Sequence, residues 1–457
     1  MINLRIGKGD KMILFKLFSF LFVLSGMNVL YSQARPNILL ICTDDQGYHD
    51  VSYYGTKDLR TPNIDSIIYN GIRFDNFYAN SSVCSPTRAA LLTGRYQGNV
   101  GVPGVIRTSE DDNWGYLSPK ATLLSQRLKD EGYNTAIVGK WHLGLESPNL
   151  PNERGFDYFK GWLGDMMDDY WKHRRHGINY MYENNNVIDP KGHATELFTD
   201  WAIDYIGRQN KKKPFFLYLA YNAPHFPVQP PDSWLNRVYE REGNIDNARA
   251  KLVAFIEHMD HGIGKVIESL KTNELFSNTI IVFTSDNGGH LPSKANNGPL
   301  RGGKQSMYEG GLKVPTGISW KGKIRSGRVS RTNHMSMDLF PTILRAAGVT
   351  YDIEGIEGVG FFEELINEEY KVDRNREFYF SRREGGTSYG GQTIVAIRKG
   401  DWKLLQNNPF QSYELYNLAN DPLESNNVIE TEFEKFKELN ILLMKNIQLE
   451  GQVPWQK

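Results

Sequence analysis

The chain has 457 residues, 40% of them hydrophobic and 12% aromatic, and its 53 Lys plus Arg balance 53 Asp plus Glu for a formal net charge of zero. That length accommodates one large α/β domain and a smaller one, with ample area for a core. The charge balance leaves no global field to gather nucleic acid or an anionic membrane surface, so neither is an expected partner.

The N-terminus carries Lys8, Lys11 and Lys16, then the apolar run Leu17–Leu24, then Ser32-Gln33-Ala34. A charged region, an apolar region and a small-residue site predict a signal peptide over residues 1–34, cut after Ala34. The apolar run is shorter than the roughly 20 residues a span needs. No Cys lies beside Ala34 to take a lipid and no long apolar stretch follows, so the mature chain is expected to be exported without a membrane span. Cys42 and Cys84 are the two cysteines, and an exported pair is able to form a disulfide. Cys42 lies within Ile38–Cys42, a run that reads as a fully buried strand, and is expected to be a core thiol.

That strand ends in Asp44-Asp45-Gln46-Gly47. Unbroken apolar strands belong to parallel sheets covered on both faces, and ligands gather at their carboxyl ends. Adjacent aspartates repel unless a cation lies between them, so their place after the first strand points to a hard metal with oxygen ligands. A short helix over residues 62–68 and an aromatic strand lead to Ser82-Val83-Cys84-Ser85-Pro86-Thr87-Arg88, which runs on into Ala89–Leu92. The segment predicts a Cys at a helix mouth, where unpaired N–H groups and Arg88 one turn on draw a thiol toward thiolate. Taken alone, it fits a reactive thiol and a buried structural cysteine equally.

Residues 122–132 have helical spacing with a Gly stop, and strand 133–138 delivers Gly139-Lys140-Trp141-His142-Leu143-Gly144. Lys140 and His142 are placed to point into a site at a strand end, although either could face solvent. Residues 145–195 read as a long irregular insertion, of the kind that is functional or disordered. Its run Trp171, His173, Arg174, Arg175 and His176 suits an anionic sugar as well as it suits a solvated basic loop, and the first four are substrate-binding candidates. Strand 213–220 empties into Tyr221-Asn222-Ala223-Pro224-His225-Phe226-Pro227, where two prolines fix the loop around His225. A helix follows over 247–270, whose His258 and His261 are expected to be structural.

Thr279–Ser285 then Asp286-Asn287-Gly288-Gly289 repeats the opening design of apolar strand, oxygen-ligand pair and glycines. Two such strand ends, far apart in sequence, are hard to explain by packing. Leu300-Arg301-Gly302-Gly303-Lys304 places Lys304 in a glycine loop where it can reach an anion as a point charge, with Arg301 a further substrate-binding candidate. A helix around residues 338–347 closes the catalytic domain, expected over 35–370. Beyond it, strand-like runs at 378–380, 392–398, 402–405 and 413–416 and a helix over 431–448 predict a small antiparallel subdomain over 371–457. Its Arg382 and Arg383 are candidates for reaching the substrate.

Cys84-Ser85-Pro86-Thr87-Arg88, followed by Leu92-Thr93-Gly94-Arg95, resembles the signature of the type I sulfatases and matches the C-x-P-x-R pattern at every fixed position. Gly139–Gly144 resembles the second signature of that family. The resemblance covers nearly all of the mature chain. It implies an alkaline-phosphatase-like α/β fold: a large mixed, mostly parallel sheet flanked by helices, plus a small C-terminal antiparallel sheet with a helix. It further implies that a maturation enzyme oxidises Cys84 to formylglycine, and that Asp44, Asp45, Asp286, Asn287 and the converted Cys84 hold one Ca²⁺. In the implied cycle one hydroxyl of the hydrated aldehyde attacks sulfur while Arg88, Lys140 and Lys304 offset charge on the sulfate. His225 then protonates the departing oxygen, and His142 takes the second hydroxyl's proton to expel sulfate. A sulfated polysaccharide or oligosaccharide is the expected substrate and the periplasm or the exterior the expected location. A phosphonate or phosphate monoester hydrolase of the same superfamily would use the same residues. If Cys84 is never converted, a silent binder of sulfated glycans would remain.

Overall fold

The structure is a computed structural model that describes residues 35–109, 116–350, 355–370, 375–384 and 391–451; the expected signal peptide over 1–34 lies outside the described residues. The large sheet is built from β1 (Asn37–Thr43), β2 (Ile72–Phe74), β3 (Asn134–Lys140), β4 (Tyr158–Trp162), β5 (Met181–Glu183), β6 (Asn186–Val187), β7 (Phe215–Ala220), β8 (Thr279–Ser285), β9 (Thr316–Trp320) and β10 (Arg328–Ser330). Their order across the sheet is β10-β2-β9-β8-β1-β7-β3-β4-β5-β6. From β8 to β4 the neighbours run parallel, whereas β9 pairs antiparallel to β8 and β5 antiparallel to β4. The architecture is thus a mixed, mostly parallel sheet flanked by helices.

Every residue of β1, β7 and β8 is buried, which is why these strands are apolar without alternation. The two faces nonetheless feed separate cores. Ile38, Leu40 and Cys42 meet Phe216, Tyr218 and Val282 on one side; Leu39 and Ile41 meet Leu217, Leu219, Ile281 and Phe283 on the other. Helices α1 (Cys84–Thr93) and α4 (Leu339–Ala346) cover the first face, α2 (Ala194–Gly207) and α3 (Asn247–Thr272) the second. Each apolar side chain so buried contributes on the order of 1.5–3 kcal/mol. Both cysteines are free thiols, and Cys42 is a core thiol.

Residues 145–195 are irregular over most of their length, as their composition suggests, but β4, β5 and β6 extend the sheet through them. These strands have only five, three and two residues, so the sequence carries little period-two signal there.

Past residue 376, β11 (Glu377–Arg383), β12 (Thr393–Lys399), β13 (Trp402–Gln406) and β14 (Glu414–Asn417) form an antiparallel sheet in sequential order. One face packs Phe378, Phe380, Ile394 and Ala396 against Tyr78, Ala90, Met335 and Met337; the other packs against Leu439 and Leu443 of α5 (Phe433–Glu450). A buried ionic group sits in this dock: Lys403 Nζ lies 2.9 Å from Glu309 and 2.8 Å from Glu424, and Tyr78 donates to Glu309 at 2.7 Å. No helix of the described residues is long and apolar enough to cross a membrane.

Candidate active site

The register of the central strands decides what meets at their carboxyl ends. Thr43 of β1 stands opposite Ser285 of β8, so the residues that follow each strand emerge side by side. Asp286 N donates to Thr43 O at 3.1 Å and Asp45 N donates to Asp286 Oδ1 at 3.2 Å. Asp45 takes a left-handed backbone (φ 66°), which folds the two aspartates of one strand end into a common pocket. Gly288 is required just beyond, since a Cβ there would sit 1.9 Å from Gly310 O.

Cys84 is the first residue of α1, a helix buried along its whole length, with Arg88 one turn on. The Arg88 guanidinium turns away from the thiol toward Asp286 Oδ2, at 2.7 Å from Nη2 and 3.0 Å from Nε. Burial pushes the Cys84 thiol up to about 12, against the pull of Lys140 and Lys304. Of the two readings left open, burial favours a protonated thiol here, because loss of solvent outweighs the pull of the helix N-terminus. The free Cys84 side chain is therefore a protonated thiol at neutral pH.

Two lysines complete the floor. Lys140 Nζ reaches Asp44 Oδ2 at 2.6 Å, and Lys304 Nζ reaches Asp45 at 2.7 Å. Burial raises both aspartates, but their cations outweigh it and hold them below their ordinary range, Lys140 foremost for Asp44 and Lys304 for Asp45. Three carboxylates, Asp44, Asp45 and Asp286, thus face three cations, Arg88, Lys140 and Lys304. A dication can enter such a balanced site together with an anion.

The residues fit such a dication. Ligand atoms of Asp44, Asp45, Cys84 and His225 lie within 4.8 Å of one another. Asp44 Oδ1 and Asn287 Oδ1 are buried oxygens with no hydrogen-bond partner among the described residues, which a hard cation would satisfy. Asn287 Nδ2 donates to Asp45 Oδ1 at 2.8 Å and so directs its own oxygen elsewhere. Asp286, expected in the same ligand set, accepts from Arg88 at Oδ2 and from the backbone of Asp45 at Oδ1, which leaves lone pairs on its carboxylate, and His225 joins the cluster.

The two histidines are neutral for different reasons. His142 Nε2 lies 2.7 Å from Ile106 O, and only a donating Nε2–H satisfies a carbonyl, so Nδ1 is left as a bare, buried acceptor. Burial, with Lys140 and Arg88 nearby, pushes His142 well below its ordinary value. His225 Nδ1 lies 2.6 Å from Phe226 O, which by the same rule puts its hydrogen on Nδ1 and turns Nε2 toward Asp45 Oδ2 at 3.6 Å. Burial and Lys304 depress His225 to about 4.

Above this floor opens a cavity of about 290 Å³, lined by Cys84, His142, His225 and Lys304 and, around them, by Val105, Arg107, Asp165, Met166, Arg175, Phe226 and Arg382. Of the five expected sugar-binding residues, Arg175 alone lines it. Trp171 is 47% exposed and stands edge-on to His193. His173 is buried, 2.9 Å from Gly192 O, and Arg174 pairs with Asp189 at 2.9 Å. Arg301 donates to Tyr416 at 2.9 Å and to Glu424 O at 2.7 Å and lies over the Tyr308 ring, so it ties the glycine loop to the C-terminal sheet. Arg382 lines the cavity, whereas Arg383 turns to Glu450 at 3.3 Å. Sequence reasoning missed Arg107, which follows a Gly/Pro-rich turn with no periodicity or motif to single it out.

The sulfatase family model matches residues 36–349 and so covers every strand of the large sheet and all of the floor residues. The chain belongs to the sulfatase family. This is a family of sulfuric ester hydrolases of the alkaline phosphatase superfamily, and the model for the N-sulphoglucosamine sulphohydrolase C-terminal region matches residues 303–451. Among curated sulfatases, arylsulfatase J of Mus musculus is 32% identical over 82% of this chain and 65% of its own length. The chain thus spans less than two thirds of that relative. N-acetylgalactosamine-6-sulfatase of Homo sapiens is 33% identical over 83% of this chain and 73% of its own length. Among solved structures, Ps i-CgsB in complex with k-i-k-neocarrahexaose superposes with a TM-score of 0.83 at 31% identity, covering 92% of this chain and 94% of that one.

Proposed function

We propose that the chain is an exported hydrolase of sulfate esters on a sulfated polysaccharide or oligosaccharide, working through a formylglycine made from Cys84 and a bound calcium ion. The observation that carries this reading is the floor itself: one helix-mouth Cys, two buried histidines and three cations converge on carboxylates with spare oxygens at adjacent strand ends. Its domains are a cleaved signal peptide over 1–34, a catalytic domain over 35–370 and a C-terminal subdomain over 371–457. Sulfated carbohydrate relatives support the substrate class, since one is an N-acetylgalactosamine-6-sulfatase and another was solved with a neocarrahexaose.

Asp44, Asp45, Asp286 and Asn287 would hold the calcium with the converted Cys84, and the ion would polarise sulfate and offset charge as it develops. Oxidation of Cys84 by a maturation enzyme would replace a thiol that burial keeps protonated with a group bearing the attacking oxygen. Lys140, Lys304 and Arg88 act as fixed positive charges against the sulfate oxygens, a term worth several kcal/mol because the cations are already in place. Lys304 leaves Asp45 for the substrate at no loss of a charged partner. His225 would hold a proton at Nε2 once the negative charge of the bound sulfate ester raises its pKa, with Nδ1–H anchored on Phe226 O, and deliver it to the leaving oxygen. His142 accepts a proton at the bare Nδ1, anchored through Nε2 on Ile106 O.

The test is the mass of the Cys84 peptide from protein matured in its own cell, together with sulfate release from sulfated oligosaccharides and from matched phosphate esters. An aldehyde at position 84 with faster sulfate than phosphate release supports the proposal. An intact thiol in native protein, or faster phosphate release, overturns it.

A further inference from the structure

The cavity has a second cationic region that the chemistry at sulfur does not use. Arg107 comes from the loop after α1, Arg175 from the segment between β4 and β5, and Arg382 from β11 of the C-terminal sheet; all three line the cavity. Each is held by a carboxylate: Arg175 by Asp168 at 2.7 Å and Asp165 at 3.2 Å, Arg107 by Glu384 at 3.2 Å and Arg382 by the same Glu384 at 3.0 Å. Of those carboxylates only Asp165 lines the cavity; Asp168 and Glu384 do not. Asp168 and Glu384 thus hold the arginines from outside the cavity, and Asp165 alone adds a carboxylate to its wall.

Lys304 already serves the floor through Asp45. A sugar whose one charge is the scissile sulfate would set only neutral hydroxyls against a wall that holds three arginines and one carboxylate. Arginine forks instead match the planar or tetrahedral oxygens of a carboxylate or sulfate.

We propose that the substrate carries, beside the ester that is cleaved, a second anionic group, sulfate or carboxylate, which docks between Arg107, Arg175 and Arg382. This rests on the sulfatase reading and narrows it to a polyanionic glycan. Met166, Val105 and Phe226, the last 36% exposed and stacked on His225 at 4.5 Å between ring centres, supply the apolar wall along which the sugar lies.

The test uses full-length protein with Cys84 converted. Sulfate release is followed from 4-nitrophenyl sulfate, which has no second anion, and from matched pairs. These are 6-sulfated and 4,6-disulfated N-acetylgalactosamine, carrageenan oligosaccharides with one and two sulfates per disaccharide, and 6-sulfated N-acetylgalactosamine with and without an adjoining uronate. The member bearing the second anion is expected to show at least about tenfold higher kcat/KM, the scale of one charge-assisted hydrogen bond. Whichever pair shows it identifies sulfate or carboxylate as the source. Arg175→Gln and Arg107→Gln are expected to shrink that ratio severalfold through KM, and Arg175→Lys to restore part of it. Cleavage of 4-nitrophenyl sulfate with a ratio near one in every pair, or with no cleavage of the doubly charged members, overturns the proposal and leaves the sulfatase reading standing. A ratio unchanged in both Gln variants overturns it as well. No hydrolysis of any sulfate ester overturns both readings.

Discussion

The floor and the rim of one cavity are built by opposite means. At the floor, Asp44, Asp45, Cys84, His142 and His225 are each at most 5% exposed, and each follows a strand or opens a helix whose place is fixed by the sheet. At the rim, Arg107 and Arg175 are 17% exposed side chains on connecting segments, and Arg382 arrives from a separate sheet. Backbone register thus positions the floor groups, and ion pairs hold the rim arginines. Register tolerates little change and ion pairs tolerate more, so chemistry and recognition can vary separately on one scaffold.

The largest expected effect is at the floor. Cys84→Ala removes the group that the proposed oxidation acts on and is expected to reduce sulfate release by about 10⁴-fold or more, with the melting temperature nearly unchanged. A variant that kept more than a few per cent of the activity would break the comparison at its strongest point.

Lys140→Ala leaves Asp44 as a buried carboxylate short of its 2.6 Å partner. It is expected to lower kcat by roughly 10²–10³-fold and to cost about 3 kcal/mol of stability, read by denaturant unfolding. Calcium added at millimolar concentration should recover part of that stability, because a cation then compensates Asp44. Chelation of wild-type protein should lower its melting temperature by several degrees, a readout independent of activity.

Acid is expected to loosen the delivery of Arg382 before it reaches the floor's own sheet. Burial raises Glu309, but Lys403 and Arg398 outweigh it and hold it at about 2, against an ordinary 4.5. The sign follows from that depression: the stabilisation is complete above pH 4.5 and is lost as pH falls toward 2, at most roughly 3 kcal/mol in all. Glu309→Gln should flatten stability against pH in that window, measured by the urea midpoint. An unchanged profile would mean that the dock does not depend on this ion cluster.

The smallest effects sharpen the rim. Trp171→Ala and Arg174→Gln, away from the cavity, are expected to leave kcat/KM on a sulfated oligosaccharide within about twofold. Surface pairs of that kind contribute little, on the order of 0–1 kcal/mol. A tenfold loss in either would extend the binding surface beyond the cavity described.

Much of the floor was legible because it is written in strand ends. Asp44-Asp45 and Asp286-Asn287 each close an apolar run, Lys140 and His142 follow another, and Pro224 and Pro227 bracket His225. The rim was legible only in part. Arg175 and Arg382 were visible as charged residues among many others, Arg107 carried no signal, and Arg301 had the better sequence context and yet faces the C-terminal sheet. β4, β5 and β6 were missed because strands of five, three and two residues are too short to carry a periodic signal.

The sequence by itself determined the apolar strands, the helix that opens at Cys84 and the residue types that end each element, because these depend on local periodicity and on the chemistry of neighbouring side chains. Tertiary structure alone decided that β1 lies between β7 and β8, which makes one pocket of residues some 240 positions apart. It also decided that burial keeps the Cys84 thiol protonated and which arginines face the cavity. Strand order, desolvation and side-chain direction are properties of the packed chain, set by contacts between segments that share no local pattern.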